Sequence, residues 1–191
     1  MARGRTLNAA AVAAGAAPAA WLAWRAAAGD LGANPIEAVE HATGGWALRF
    51  LLAALAVTPL RRLGLPALAP LRRTLGLVAF VWVCAHFLTW SVVDNGLDWA
   101  AIGEDIVERP YVTVGFAAFV LLIPLAATSN RAAMRALGRR WVTLHRLVYP
   151  AALLAVVHFL WLVKKDMTEP LVYAAALGAL LAARFVGRGK R

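Results

Sequence analysis

Three histidines stand inside apolar stretches of this chain. His86 lies in GLVAFVWVCAHFLTWSVV; His145 and His158 lie in WVTLHRLVYPAALLAVVHFLWLVK, residues 141–164. Each stretch is long enough to cross a hydrocarbon core of about 30 Å. An ionisable side chain is expensive at that depth and marks a functional position by default. Imidazole is a common metal ligand and an axial ligand of haem iron. His145 and His158 are about 20 Å apart along an ideal helix, near opposite ends of one span. This pattern points to b-type haem held between helices. A proton or ion pathway and purely structural histidines are the alternatives. Against a pathway, no Asp or Glu falls inside any predicted span, and proton relays commonly use them.

Depth separates the three. His86 is thirteen residues after Arg73 and eight before Asp94; His158 is seventeen after Trp141 and six before Lys164. The two are therefore expected at similar depth, in the outer half of spans running the same way. That is the placement a bis-histidine haem needs. His145 is expected near the inner surface, with no other histidine at its depth. Thirteen steps leave His145 and His158 roughly 140° apart around an ideal helix, facing different neighbours. Pro150 lies between them and is expected to bend or unwind the helix enough to matter.

The rest of the chain must supply helices to carry these residues. It has 191 residues, is 62% apolar and has a mean hydropathy of +0.67, too apolar for a soluble domain. Six spans of about 20 residues with short loops fill that length. The expected fold class is all-α, an integral membrane six-helix bundle, with residues 1–191 forming a single membrane domain. The spans are expected near 8–24, 45–60, 74–93, 111–127 (Pro124 a kink near its inner end), 141–164 and from Pro170 to Phe185. All ten acids, Asp30, Glu37, Glu40, Asp94, Asp98, Glu104, Asp105, Glu108, Asp166 and Glu169, fall in the loops after the first, third and fifth spans. The opposite side carries fifteen of the twenty basic residues, among them Arg3, Arg5, Arg61, Arg62, Arg72, Arg73, Arg131, Arg135, Arg139, Arg140 and the tail Arg188, Lys190 and Arg191. The positive-inside rule then puts both termini in the cytoplasm. Topology accounts for the net charge of +10, so nucleic-acid binding is a poor reading of it.

Other residues read more plainly. Residues 8–24 are a retained first span or a signal peptide with AAAG at 26–29 as its cleavage site. His41, beside the second span, reads as solvated or interfacial. The inner stretch TSNRAAMRALGRRW reads as a short helical anchor on the lipid surface; a site for an anionic cofactor or haem propionates is the sharper alternative. Trp21, Trp24, Trp46, Trp90, Trp99, Trp141 and Trp161 fall near span ends, as an aromatic belt does. Cys84 is the only cysteine and reads as a packed apolar residue. With no C-x-x-C-H there is no covalent c-type haem, and no Cys cluster holds an iron–sulfur centre.

Eight blocks, taken together, resemble one family. They are TGGWALRF at 43–50, TPLRR at 58–62, RRTLGL at 72–77, CAHFLTW at 84–90, RPYVTVGF at 109–116, LAATS at 125–129, LGRRWVTLHRLVY at 137–149 and HFLWLVKKD at 158–166. Over about residues 34–186 the chain resembles the MsrQ (YedZ) family, haem-binding membrane subunits of the bacterial periplasmic methionine sulfoxide reductase system. The resemblance implies a ferric-reductase-like transmembrane domain in the inner membrane, with its haem-binding core at about 43–186. It implies one or two b-type haems at His86, His145 and His158. It implies an electron-transfer subunit of an oxidoreductase complex, with no catalytic residues of its own. Electrons would come from quinol, with a cytoplasmic flavin reductase as a further candidate donor, and pass to the periplasmic molybdenum enzyme MsrP. The family is also associated with FMN. No flavin motif is visible, and Arg72, Arg73, Arg139 and Arg140 are the candidate contacts for its phosphate, for propionates or for quinone. Two departures from the wider ferric-reductase and NADPH-oxidase pattern stand out. The third span has only His86, with Arg72 or Arg73 where an inner partner would be. No G-x-G-x-x-G follows the last span, so NAD(P)H is not expected as direct donor. Direct reduction of ferric iron or another outer acceptor, and a haem-free scaffold or transporter, are the competing functions.

Overall fold

Apolar runs bounded by Pro, Gly and paired arginines dictate helices, and helices are what form. The structure, a computed structural model, describes the backbone of residues 2–186 and the side chains of residues 4–184. The side chain of Arg3 and the tail Arg188, Lys190 and Arg191 lie outside the described residues. Nine α-helices follow one another: α1 (Ala2–Ala27), α2 (Pro35–Arg62), α3 (Leu71–Leu88), α4 (Trp99–Glu108), α5 (Pro110–Ala127), α6 (Arg131–Leu137), α7 (Arg139–His145), α8 (Val148–Leu162) and α9 (Thr168–Val186). No strand occurs among the described residues. Among the described residues five helical stretches are long and apolar enough to cross a membrane: Gly4–Ala27, Pro35–Arg62, Leu71–Asp94, Pro110–Ala127 and Arg139–Leu162. The 19-residue α9 stands where the sixth span is expected, and the all-α membrane architecture holds. The residues gather into two units, Met1–Ile102 and Gly103–Arg191.

In the first unit α2 and α3 form an antiparallel hairpin, turned by a 3₁₀ segment at Pro66–Leu68. The helix α2 begins ten residues before the expected start of the second span. Asn34 caps it, accepting from the Glu37 amide and donating to the Glu37 carboxylate at 3.0 Å, with Pro35 in the first turn. A reciprocal Asn–Glu cap followed by proline starts a helix even among polar residues. Glu37, Glu40 and His41 are therefore helical, not loop. Leu48, Leu51, Leu52, Leu55 and Val57 of α2 are buried. The helix α1 runs parallel to α3: Thr74 donates to Asn8 at 2.9 Å, and Trp82 Nε1 donates to the Gly15 carbonyl at 3.1 Å. At α3's C-terminal end the helix loosens into a π-helical turn, Thr89–Asp94.

In the second unit α5 packs against α8, and α8 against α9. The expected acidic loop, in which the first unit ends and the second begins, contains α4, whose start is capped by Asp98 accepting from the Ala100 and Ala101 amides. The helix α5 continues past Pro124 to Ala127. The arginine-rich stretch is helical as expected, α6 being capped by Asn130 and separated from α7 by Gly138 at φ +50°. The fifth span is not one helix. It breaks at Arg146–Leu147, four and three residues before Pro150, where amides reach back only three residues. Proline has no N–H for the carbonyl four residues earlier, and its ring crowds that carbonyl. Arg25 pairs with Asp30 and Arg109 with Asp105, but the clustered arginines stand apart from the acids within each unit. Arg61, Arg62, Arg72 and Arg73 face away from Glu37 and Asp94 in the first; Arg131, Arg135, Arg139 and Arg140 face away from Asp105 and Glu169 in the second.

Candidate functional site

His86 sits on α3, half-buried against the first turns of α2. Its Nδ1 lies 3.1 Å from the Glu40 carbonyl and 3.3 Å from Thr43 Oγ1. The Thr43 hydroxyl spends its own proton on the Val39 or Glu40 carbonyl, at 2.8 and 3.0 Å. Both partners of His86 are thus acceptors, so Nδ1 carries the proton and the lone pair sits on Nε2. Gly44 faces the ring: a Cβ there would stand 3.2 Å from Cε1 and 3.3 Å from Nδ1.

His158 repeats this arrangement in the second unit. From α8 its Nδ1 donates to the Tyr111 carbonyl of α5 at 2.7 Å, with the Tyr111 ring tilted 6.4 Å away. A carbonyl can only accept, so here too the lone pair is on Nε2. Gly115 faces the ring still more closely, its added Cβ falling 2.7 Å from Nδ1.

His145 differs. Its Nε2 lies 3.0 Å from Thr128 Oγ1, whose proton goes to the Pro124 carbonyl at 2.6 Å. Nε2 must therefore donate, and the lone pair falls on Nδ1, the opposite tautomer. Trp141 stacks on the imidazole with centroids 3.8 Å apart and donates its indole N–H to the Thr128 carbonyl at 2.9 Å. His145 and His158 both meet α5 or its C-terminal cap, which the ideal-helix angle would not allow. The break before Pro150 makes it possible.

The remaining candidates fall where their types suggest. His41 is half-exposed, 3.9 Å from Glu37, as a solvated histidine should be. Arg72, Arg73, Arg139 and Arg140 are exposed at the first turns of α3 and α7. Cys84 is half-buried and unbridged. Trp21, Trp24, Trp99 and Trp161 are exposed, as belt residues are. The belt reading of Trp46 and Trp141 is incomplete, since Trp46 packs on Trp82 and Phe50 and Trp141 on His145. Among the described residues no three His, Cys, Asp or Glu side chains converge on one point as a metal cluster would. One histidine per helix segment is instead what a planar, axially ligated group takes. Sequence reasoning missed Thr43, Gly44, Gly115 and Thr128. The only advance signal was glycine inside apolar helices, which often marks a packing or functional need.

The chain has recognisable relatives. Residues 43–156 match the family described as ferric reductase like transmembrane component. The chain is 52% identical over 176 residues to the protein-methionine-sulfoxide reductase heme-binding subunit MsrQ of Rhodospirillum rubrum, covering 91% of this chain and 85% of that protein. It is 51% identical to the MsrQ subunit of Xanthomonas oryzae pv. oryzae, covering 84% of this chain and 74% of that protein. For the MsrQ subunit of Brucella anthropi the identity is 48%, covering 90% and 78%. No solved structure matches. Half-identity across nearly the whole chain, on top of the matched transmembrane component, means that the chain belongs to the MsrQ family of heme-binding subunits.

Proposed function

We propose that this protein is a membrane b-type cytochrome that takes electrons from the quinone pool and passes them outward to MsrP, a periplasmic methionine sulfoxide reductase catalytic subunit. The observation that carries this is the anchoring of His86 and His158 through Nδ1 to backbone carbonyls. That anchoring fits the axial ligands of haem, because it sets each Nε2 as the donor nitrogen and strengthens it. His86 and His158 would each offer Nε2 to a haem iron, and the haem would supply one-electron storage. His145 serves a second, inner haem only through Nδ1 or by giving up Thr128. The relatives' name, heme-binding subunit of protein-methionine-sulfoxide reductase, supports both the cofactor and the class of partner.

The charge segregation supports the topology: both termini in the cytoplasm of a bacterial inner membrane, with the ends of α3 and α8 that carry His86 and His158 outermost. Electron entry then belongs to the basic, inner ends. Quinone and FMN, the latter by resemblance, would meet the exposed cations Arg72, Arg73, Arg139 and Arg140 there. Redox spectroscopy of the purified protein tests the reading. Quinol should reduce a haem with a low-spin b-type spectrum, and adding an oxidised MsrP-type subunit with methionine sulfoxide should reoxidise it. A colourless protein from haem-replete cells would refute it. The ferric reductase like match favours one second reading, direct reduction of an outer ferric chelate. Reoxidation by the chelate but not by the MsrP-type subunit would select that alternative.

A further inference from the structure

We propose that Gly44 and Gly115 are positioning residues: each leaves a bare place on its helix where a haem-ligating imidazole is seated on a backbone carbonyl. The inference rests on the haem reading above and goes further, to what fixes the two ligands.

The two units use one device. His86 Nδ1 donates to the Glu40 carbonyl and its ring lies over Gly44; His158 Nδ1 donates to the Tyr111 carbonyl and its ring lies over Gly115. In both cases the accepting residue is four positions before the glycine. The spacing has a physical cause. In a helix the carbonyl at i−4 already bonds the N–H at i, but it has a second lone pair. The Cβ at position i tilts toward the helix N-terminus, over the preceding turn. Removing that Cβ opens the carbonyl sideways to a second donor. In a membrane this is an inexpensive acceptor, since no side-chain carboxylate or amide has to be buried to supply it.

The distances grade the two sites. A Cβ on Gly115 would fall 2.7, 2.9 and 3.0 Å from Nδ1, Cε1 and Cγ of His158. The ring must then move, and its 2.7 Å bond to Tyr111 goes with it. A Cβ on Gly44 would fall 3.2, 3.3 and 3.6 Å from the His86 ring, which a small displacement accommodates. Gly76 and Gly178 lie in the helices α3 and α9 with nothing within 4 Å of an added Cβ. They serve as controls, because alanine is intrinsically the better helix former by about 1 kcal/mol.

The test uses the full chain purified in detergent from haem-replete cells, with haem content, low-spin electron paramagnetic resonance and midpoint potential as readouts. Gly115→Ala should lose most of the low-spin signal. Any haem that remains should have a more positive potential, because an imidazole without its Nδ1–H bond donates less strongly to ferric iron. Gly44→Ala should keep its haem with a smaller positive shift. Gly76→Ala and Gly178→Ala should match the wild type. A purely structural role for the glycines would lower stability without moving the potential, and would overturn the proposal. So would wild-type spectra and potentials in both Gly44→Ala and Gly115→Ala. If Gly115→Ala does not fold, Gly44→Ala decides, and an unchanged potential there overturns the proposal. Failure of the haem reading looks different: wild-type protein without haem, or low-spin haem that survives both His86→Ala and His158→Ala.

Discussion

Replacing Pro150 with alanine should make the fifth span more regular and spoil the site at its inner end. Alanine restores an N–H to the Arg146 carbonyl and removes the ring that crowds it, so α7 and α8 should fuse into one helix. A proline in a helix interior costs about 3 kcal/mol relative to alanine. A continuous ideal helix, however, would turn His145 and His158 roughly 140° apart. With His158 held on Tyr111 at 2.7 Å, His145 and Trp141 would then swing away from Thr128. Hydrogen bonds between membrane helices are worth roughly 0.6–2 kcal/mol each. Losing two of them costs roughly 1–4 kcal/mol, so Pro150→Ala should fall between about 1 kcal/mol less stable and about 2 kcal/mol more stable than the wild type. A double-mutant cycle followed by detergent-induced unfolding measures this without reference to any cofactor. Thr128→Val should cost on the order of 1 kcal/mol in the wild type and close to nothing beside Pro150→Ala. An equal cost in both backgrounds would refute the argument, as would a Pro150→Ala protein less stable than the wild type by clearly more than about 1 kcal/mol.

Histidine variants rank the ligands: His86→Ala and His158→Ala should lose low-spin haem alike, His145→Ala should leave that signal largely intact while slowing reduction by quinol, and His41→Ala should be normal, all read by haem content and low-spin signal. Acid–organic extraction should strip the pigment from the polypeptide, whereas pigment that stays bound would show a covalent link that no C-x-x-C-H provides. A cysteine placed at the exposed Ala136 of α6 should react with an impermeant maleimide only in inverted vesicles, and labelling in intact cells would reverse the topology. Asp166 is held below the ordinary carboxylate range by hydrogen bonds from the Thr168 hydroxyl and amide. Its cap on α9 should therefore be present above that range and lost as pH falls through the lowered value, seen as faster exchange of the Thr168 amide in acid and at every pH in Asp166→Ala.

Much of this architecture is legible in the chain because membranes enforce simple rules. Long apolar runs must be helices, and acids and arginines must sort to opposite sides. The three histidines stand out for the same reason. Local chemistry was legible too where it was read as chemistry. Asn34-Pro35 with Glu37 spells a capped helix start, yet its acidity suggests a loop, and α2 begins ten residues early as a result. Pro150 announces a break and its ring chemistry places it at Arg146. The glycines were harder. Gly44 and Gly115 are indistinguishable in sequence from Gly76 and Gly178, and only the partner helix shows which of them a ring covers. The tautomer of His145 was likewise out of reach, since it depends on where the proton of Thr128 goes.

The two kinds of histidine contact suit different tasks. An imidazole that ligates iron must keep one nitrogen for the metal and bond the other firmly, or the ring will turn. On the proposed haem reading, His86 and His158 would do this with helix carbonyls, which are rigid, uncharged and accept a hydrogen bond but cannot donate one, so Nδ1 keeps its proton. His145 bonds instead to a hydroxyl. A hydroxyl both donates and accepts, so rotating Thr128 Oγ1 away from the Pro124 carbonyl would let it donate to Nε2 and move the imidazole proton to Nδ1. His86 and His158 are thus fixed by backbone, and His145 is set by a rotatable side chain. A glycine faces each of the first two rings, at Gly44 and Gly115. The contrast predicts a difference that Thr128→Val would expose. Valine removes the hydroxyl that bonds Nε2 of His145, so the rate of reduction by quinol should change. The low-spin signal that depends on His86 and His158 should not. Loss of that signal in Thr128→Val would show that the two kinds of contact are not independent, and would sink the division argued from their hydrogen bonds.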